Sequence, residues 1–505
     1  MSGEHVNRGP DAGQDPPGVW SLAVGLVAFA AYLALAPRTV GDGDAGEFTL
    51  VLAIAGVAHP PGYALYTLLG HAWVTVLHAM GVGWARAASS WSALGGAVAV
   101  AALHRLAARV IAPSDALGGR ARAVLALAPC TLLALHPAWT REVTIAEVNS
   151  WHVALVILMA LVAERWLTRL ETRTVSPDAT RGVLGWGALC GAALAHHLTA
   201  LFVAAPLTVA LGLAARRAGL RARVGWLALT AAAAVAIVCD AFIAWRAFHP
   251  AAAQWPLLEP TLASVLTHLR GGIYLVYLTG FAATGAQRAL LVHTVLPALI
   301  PGLVALAIAA WRTRDPVHRM LHQALLVASV LGIAFALTYG VLEPVVYLLP
   351  PLAFSLVGLA VAAGWLAARL RRPIALAPVA LALVALGWLW CAEARDRARR
   401  LEANDEALHA RWRALPIEHG IVIWTTDYHV RLLAWQILNG EHPSVTVVDP
   451  AMLTWPKPRH DFERKFGFDP LAGITLRTDA DLSMVGPNIA RQTGLPVVDF
   501  ERFRP

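Results

Sequence analysis

The sequence predicts an α-helical polytopic membrane protein of about eleven transmembrane helices with a small α/β domain at its C-terminal end. Three observations predict it. The 505-residue chain is 58% hydrophobic and only 14% charged, and its mean hydropathy is +0.59, outside the range of soluble domains. Apolar windows recur that approach the 20 or so residues a helix needs to cross a bilayer core. From about residue 393 the composition changes to ordinary globular sequence.

Residues 1–17 carry Asp, Glu and Pro and are followed by an apolar run without a small-residue cleavage site. That predicts a cytoplasmic tail before a retained first span, not a secretory signal. Single spans are predicted at 18–36, 87–103, 123–139, 149–163, 224–244, 289–311, 321–340, 345–368 and 373–391. Residues 183–215 form one apolar stretch of 33. As a single helix it would reach about 50 Å against a core of about 30 Å, so it is split into a hairpin near His196–Thr199. Residues 62–80 begin with Pro-Pro-Gly and contain two histidines, which fits an interfacial or re-entrant helix rather than a crossing. Five arginine clusters lie between the apolar runs, around Arg105–Arg122, Arg165–Arg181, Arg216–Arg223, Arg312–Arg319 and Arg369–Arg372. An even number of predicted crossings separates each consecutive pair, so all fall on the cytoplasmic side. The N-terminus is then inside and the C-terminus outside. Arg395, Arg397, Arg399 and Arg400 lie outside against the charge rule, at the start of a folded domain where charge bias counts for less.

The organisation is thus a tail at 1–17, a transmembrane domain at 18–392 with its first outer loop at 37–86, and an extracytoplasmic α/β domain at 393–505. GIVIWTTDYHVRLLAWQILNGEHPSVTVVDP reads as strand, turn, helix, Asn-Gly stop and strand. The formal net charge is +8, but the basic residues sit in short interhelical clusters, so topology accounts for them and nucleic acid is not a partner. Cys130, Cys190, Cys239 and Cys391 all lie in apolar segments with no CxxC pair and read as buried small hydrophobes.

The first outer loop is the richest in chemistry. In GDGDAGEF glycines alternate with acids, allowing a tight turn before a helix that begins near Ala45. Asp44 can cap that helix, with Glu47 three residues on as an acidic capping box. The same carboxylates can act as a general base on an incoming hydroxyl, or share a divalent cation through the DxD spacing. His59-Pro60-Pro61-Gly62 predicts an extended turn released into a helix, with His59 either a satisfied polar residue or an anion contact. Glu142 and Glu147 lie between two spans, and Arg141 beside Glu142 suggests an ordinary surface pair. His196 and His197, adjacent on a helix, point in different directions, so a shared metal is not expected of them. Asp240 and Arg246 could pair only in a loosened helix. Arg246 and Arg270 match a lipid-linked phosphate, and Glu343, Tyr347 and Pro350-Pro351 form another polar break.

The order of these motifs resembles a large family of bacterial integral membrane proteins, long described as a domain of unknown function and related to protein O-mannosyltransferases. The match reads Asp44-Ala45-Gly46-Glu47-Phe48 and Ala58-His59-Pro60-Pro61-Gly62-Tyr63. It continues through Trp139, Ala146-Glu147-Val148, His197-Leu198-Thr199, Arg246, His249-Pro250, Trp255, Glu343, Tyr347, Pro350 and Thr426-Asp427. Two positions depart from the family pattern: His196 where Asn is common, and Glu343 where Asp is common.

The resemblance implies a multi-span C-type glycosyltransferase in a bacterial inner membrane. Such an enzyme takes a sugar, a hexose such as mannose, from a polyprenyl-phosphate carrier to a protein or envelope-glycan hydroxyl on the outer face, inverting the anomeric centre. It makes Asp44 the base and Glu47 its partner, leaves Asp42 without a role, and puts Arg246 or Arg270 on the departing phosphate. His59, Tyr63, Glu147, His197, Glu343 and Tyr347 complete the substrate-binding set. No residue is assigned to a metal, and a divalent cation is optional because polyprenyl phosphate is already a workable leaving group. The alternative is a non-enzymatic transporter or flippase of a lipid-linked intermediate. Such a protein places ionisable groups near mid-bilayer, often in repeated halves; here no repeat is evident and the acids gather at one face.

Overall fold

The computed structural model describes residues 18–111, 117–172, 179–220, 223–251, 257–341, 343–369, 377–424, 429–475 and 479–504. The N-terminal tail, Trp255 and the Thr426-Asp427 pair lie outside them. The first apolar run forms α1 (Gly18–Leu35); the acidic loop follows and leads into α2 (Ala45–Ile54), α3 (Ala64–Ala79) and the long α4 (Trp84–Val110). A broken segment comprises α5 (Gly119–Leu125), α6 (Leu127–Leu135) and α7 (Pro137–Thr144), and α8 (Asn149–Glu171) closes this half. Next come α9 (Ala179–His196), α10 (Leu201–Arg217), α11 (Arg223–Phe248), α12 (Leu262–Leu269) and α13 (Gly285–Leu290). The membrane part ends with α14 (Leu296–Arg312), α15 (Pro316–Thr338), α16 (Leu349–Arg369) and α17 (Ala377–Arg413).

By length and hydropathy, seven helical segments among the described residues can cross a membrane, and an eighth if a bent pair counts as one. The remaining three of the eleven predicted spans coincide with α8, α9 and the first part of α17, which are helices of 18 residues or more. Charged residues at its C-terminal end make α8 less apolar, and four glycines interrupt α9. The predicted span 123–139 is not one rod: the chain turns by 66° between Leu135 and Pro137, where proline cannot donate to the preceding turn. The split of 183–215 falls at His196, with a short 3-10 turn over Leu198–Ala200. At 16 residues, α3 is about 24 Å long, too short for a bilayer core.

Packing is closest where side chains are smallest. A methyl group added at Gly358 would lie 2.4 Å from the Gly302 carbonyl oxygen, so these glycines let α14 and α16 touch backbone to backbone. Trp139, fully buried, donates its indole N–H to the Tyr32 hydroxyl at 2.9 Å, and Tyr32 donates to the Ala134 carbonyl at 3.0 Å. Those bonds hold the bent segment to α1. The predicted status of the cysteines agrees with their environment: Cys130, Cys190 and Cys239 are buried and Cys391 is half-buried, all as free thiols.

The two ends of the bundle differ. At one, Arg109 holds Glu164 through Nε at 2.6 Å, Glu164 faces His318 at 3.7 Å, and Arg217 meets Met320. The ends of α4, α8 and α10 and the start of α15 therefore share this basic end. The starts of α2, α8 and α10 and the turn before α16 lie at the other.

Helix α17 continues without a break through residue 393, where the composition changes, and runs 37 residues before the sheet region begins. There β1 (Gly420–Ile423), α18 (His429–Asn439) and β2 (Val445–Val448) form the predicted strand–helix–strand unit, followed by α19 (Pro456–Phe466), α20 (Val485–Thr493) and β3 (Val497–Asp499). Gly440 has φ +71° just beyond the Asn439 stop, the left-handed backbone of a helix C-terminus. All three strands are parallel in the order β2-β1-β3, with Ile421 opposite both Thr446 and Val497. The central strand β1 is buried throughout, as a strand covered on both faces must be.

Candidate active site

The acidic loop and the His-Pro-Pro turn meet over the start of α2. Asp44 occupies the N-cap position of α2, but its side chain makes no capping hydrogen bond. Nor does Glu47 turn back to complete a capping box: its two oxygens accept the backbone N–H of His59 at 2.7 Å and contact His59 Nδ1 at 2.6 Å. A carboxylate only accepts, so Nδ1 carries the proton and the ring is locked with Nε2 outward. That nitrogen lies 3.3 Å from the Tyr63 hydroxyl and 3.8 Å from Asp44 Oδ2. The side chain of Glu47 is 7% exposed and that of Asp44 49%, so one acid is buried against the histidine and the other is half exposed.

The turn positions His59 through close packing. Gly62 sits at φ +96°, and a methyl group there would fall 2.6 Å from Ile243 Cδ1 of α11; only glycine meets both demands. His268 of α12 reaches the Ala58 carbonyl at 3.0 Å. Phe48, His59, Tyr63 and Tyr66 pack ring to ring, with centroids 5.3–5.7 Å apart, and the Tyr274 ring stands edge-on to His59 at 6.2 Å.

Of the residues predicted from sequence, Asp44, Glu47, His59 and Tyr63 therefore converge. His197 and Tyr347 adjoin them: His197 lies 5.8 Å from the Tyr63 ring and 6.2 Å from that of Tyr347. Glu147 lies in the turn before α8, its backbone N–H donating to Ser92 Oγ at 2.8 Å. Burial, reinforced by the carboxylates of Glu142, Asp44 and Glu343, pushes its carboxyl well above the usual range. The adjacent-pair reading of Arg141 and Glu142 is corrected: Arg141 forms its ion pair with Glu343 across the chain, while buried Glu142 accepts from Asn149 Nδ2 at 2.8 Å. Helical neighbours point apart, so Arg141 and Glu142 serve different partners. Arg246 reaches the Ile54 carbonyl, at the far end of α2 from Glu47, at 3.4 Å and stacks on Trp245; it does not pair with Asp240. Arg270 is exposed at the end of α12. His196 and His197 diverge as predicted, the first bonding to the Val148 carbonyl at 3.1 Å and the second to Thr199.

Sequence reasoning missed His152 and Asn149. Their i, i+3 spacing at the start of α8 was the available signal, but their partners come from α7 and from the α9–α10 turn. It also missed the clamp on the acidic loop. Asp405 of α17 accepts the Val40 N–H at 3.2 Å and pairs with Arg431 of α18 at 3.1 Å; Val430 and Ala434 pack on Leu50 of α2.

Asp44, Glu47 and His59 present ligand atoms within 4.8 Å of one another, close enough to share a divalent ion. Both oxygens of Glu47 already face His59, so shared coordination requires that pair to open.

The multi-pass helical bundle with a small parallel-sheet region at its C-terminal end is the polytopic fold class predicted above, and solved membrane enzymes share this fold. An oligosaccharyltransferase of Archaeoglobus fulgidus in the apo form superposes with a TM-score of 0.51 at 13% identity, covering 94% of this chain and 69% of that one. The archaeal oligosaccharyltransferase AglB from the same organism, in complex with an inhibitory peptide and a dolichol-phosphate, gives 0.50 at 14% identity over 95% and 69%. More particularly, residues 44–218 match the family model described as the protein O-mannosyl-transferase TMEM260 N-terminal domain. The mouse (Mus musculus) protein O-mannosyl-transferase TMEM260 is 30% identical over 208 residues, which make up 40% of this chain and 27% of the mouse protein.

Proposed function

We propose that this chain is an inverting membrane glycosyltransferase. It moves a hexose such as mannose from a polyprenyl-phosphate carrier to a hydroxyl of a protein or envelope glycan, at the outer face of a bacterial cytoplasmic membrane. The observation that carries the reading is the division of labour in the first loop: Asp44 is half exposed while Glu47 is buried against His59. Of the two acids, Asp44 is the one exposed to an incoming acceptor.

The acceptor oxygen forms the new bond to the sugar's anomeric carbon as its proton passes to Asp44. The bond from that carbon to the phosphate oxygen breaks, its electron pair leaving with polyprenyl phosphate, and the centre inverts. Glu47 fixes His59 Nε2 beside Asp44, where a protonated ring offsets negative charge. Arg246 and Arg270 are assigned to the phosphate, and Glu147, Glu343 and Tyr347 to the rim of the substrate site. A divalent cation, if bound by Asp44, Glu47 and His59, would supply charge neutralisation at the departing phosphate. The sheet region is assigned to the outer side, where the hold of Glu402 and Asp405 of α17 on the Arg38 and Val40 N–H groups supports the acidic loop.

The activity of the mouse relative supports an O-glycosyl transfer, and the dolichol-phosphate held by the archaeal structure supports a lipid-phosphate donor. Transfer from labelled polyprenyl-phosphate mannose in membranes carrying the wild type or Asp44→Asn tests the reading. Transfer by the wild type and its loss in the variant are expected; undiminished transfer by Asp44→Asn would remove the assignment of the base.

A further inference from the structure

Four arginines, Arg395, Arg397, Arg399 and Arg400, directly follow the apolar run of α17, on the side where the charge rule expects few. The helix sorts them by direction. At about 100° per residue, Arg397 stands opposite Trp388. It turns into the protein, where its Nη2 donates to Thr144 Oγ1 of α7 at 3.4 Å. Glu393, one turn earlier on the helix, offsets its charge. Arg395 and Arg399 instead share an arc of about 60° with Leu381, Val384 and Trp388, and all five are exposed. One face of α17 is thus apolar as far as Ala392 and basic beyond it. Trp388 is 73% exposed and the Arg399 side chain 75%, so the described chain leaves both parts of this face open.

The geometry of a helix leaving a bilayer sets what this face meets. Exposed Leu381, Val384 and Leu389 suit acyl chains, and tryptophan is enriched at the headgroup level. From Ala392, where the apolar run ends, Arg395 lies about 5 Å and Arg399 about 10 Å further along the axis. The headgroup layer is itself about 5–8 Å deep on each side of the core. Helical side chains tilt toward the N-terminus of their helix, and the N-terminal end of α17 is its membrane end. Both arginines therefore lean back toward the headgroups, with their stems along the helix.

Charge narrows the occupant. Asp396, the acid that lies among these arginines, faces Arg399 at 3.6 Å and pairs with Arg400; exposed pairs of this kind hold weakly. Arg395 has no acid partner among the described residues. Three exposed arginines against one carboxylate leave a positive surplus where the headgroups lie. Guanidinium groups match phosphate oxygens in shape and charge. A zwitterionic headgroup carries its own cation to the site, whereas an anionic one supplies the missing negative charge.

We infer that this face of α17 binds the headgroup of an anionic phospholipid, whatever reaction the acidic site performs. A lipid held there fixes the depth of α17, and with it Glu402 and Asp405, which accept the Arg38 and Val40 N–H groups of the acidic loop. The test reconstitutes the full chain in nanodiscs of equal phosphatidylglycerol and phosphatidylcholine. Native mass spectrometry then counts the lipid that stays with the released protein. The wild type is expected to retain phosphatidylglycerol over phosphatidylcholine about five-fold. Arg395→Gln with Arg399→Gln should bring that ratio close to one, and Arg395→Lys with Arg399→Lys should keep most of it. Arg464→Gln with Arg502→Gln, at two exposed arginines of the sheet region, should leave it unchanged. Equal retention of both lipids by the wild type overturns the site, as does an unaltered ratio in the Arg395/Arg399 glutamine pair. An equal loss in the sheet-region pair would reduce the effect to net charge and overturn it too. Displacement of phosphatidylglycerol by equimolar polyprenyl phosphate would make the face a port for that lipid instead.

Discussion

Asp44 and Glu47 stand one helical turn apart, yet their surroundings give them separate tasks. If Asp44 is the base, Asp44→Asn lowers transfer by about 10²–10⁴-fold without loss of thermal stability, measurable as turnover and melting temperature on one preparation. Glu47 accepts two hydrogen bonds from His59, and removing one such charge-assisted bond costs about 1.5–3 kcal/mol. Glu47→Gln should therefore lower both the melting temperature and the rate. Glu147 makes a prediction about pH. Its carboxyl is raised by burial, so the folded protein holds a proton that the unfolded chain has released above the ordinary carboxylate range. Stability from this group is complete below the unfolded pKa and falls as pH rises toward the folded one. Glu147→Gln should match wild type in acid and become the more stable of the two above about pH 5, as read from melting temperature against pH.

At the scale of elements, the first loop works because three segments lock against it. Gly62 admits the close approach of α11 to the His-Pro-Pro turn, and Gly62→Ala is expected to cost about 1–3 kcal/mol, visible as a lower midpoint in denaturant. Much of this region was legible in the sequence. The start of α2 at Ala45, the break at His196 and the strand–helix–strand unit each carry local signals: glycine–acid turns, excess apolar length, and an Asn-Gly stop. Partnerships were not legible, because spacing along the chain does not report contacts across it. Arg141 looks like the partner of Glu142 and pairs with Glu343, 202 residues away. Asp44 sits at the N-cap of α2 without a side-chain capping bond, and the capping box with Glu47 does not form, because Glu47 is drawn to a histidine that only the fold brings near. Composition placed a boundary at residue 393, but helix propensity and backbone bonding ignore such changes, and α17 runs through it.

Across the whole molecule, polar chemistry is segregated to the two ends of an apolar bundle. One end gathers Arg109, Glu164, His318 and Arg217; the other gathers Asp44, Glu47 and His59 with the Arg141–Glu343 pair. The sidedness proposed here predicts different labelling of two exposed positions. Arg464→Cys in the sheet region should react with a membrane-impermeant maleimide in intact cells. Arg217→Cys should react only after permeabilisation. The reverse pattern would invert the orientation.

Helix α17 adds a mechanical consequence. Because it passes unbroken from the bundle to the sheet region, it meters phase as well as length. Each residue advances the helix by about 1.5 Å and turns it by about 100°. A single residue inserted between Glu393 and Asp405 would swing Asp405, and the sheet region that follows it, away from Val40, though every side chain at the acidic site remained the same. The rod thus acts as a gauge block, and the alignment of the loop is set by a count of residues far from it.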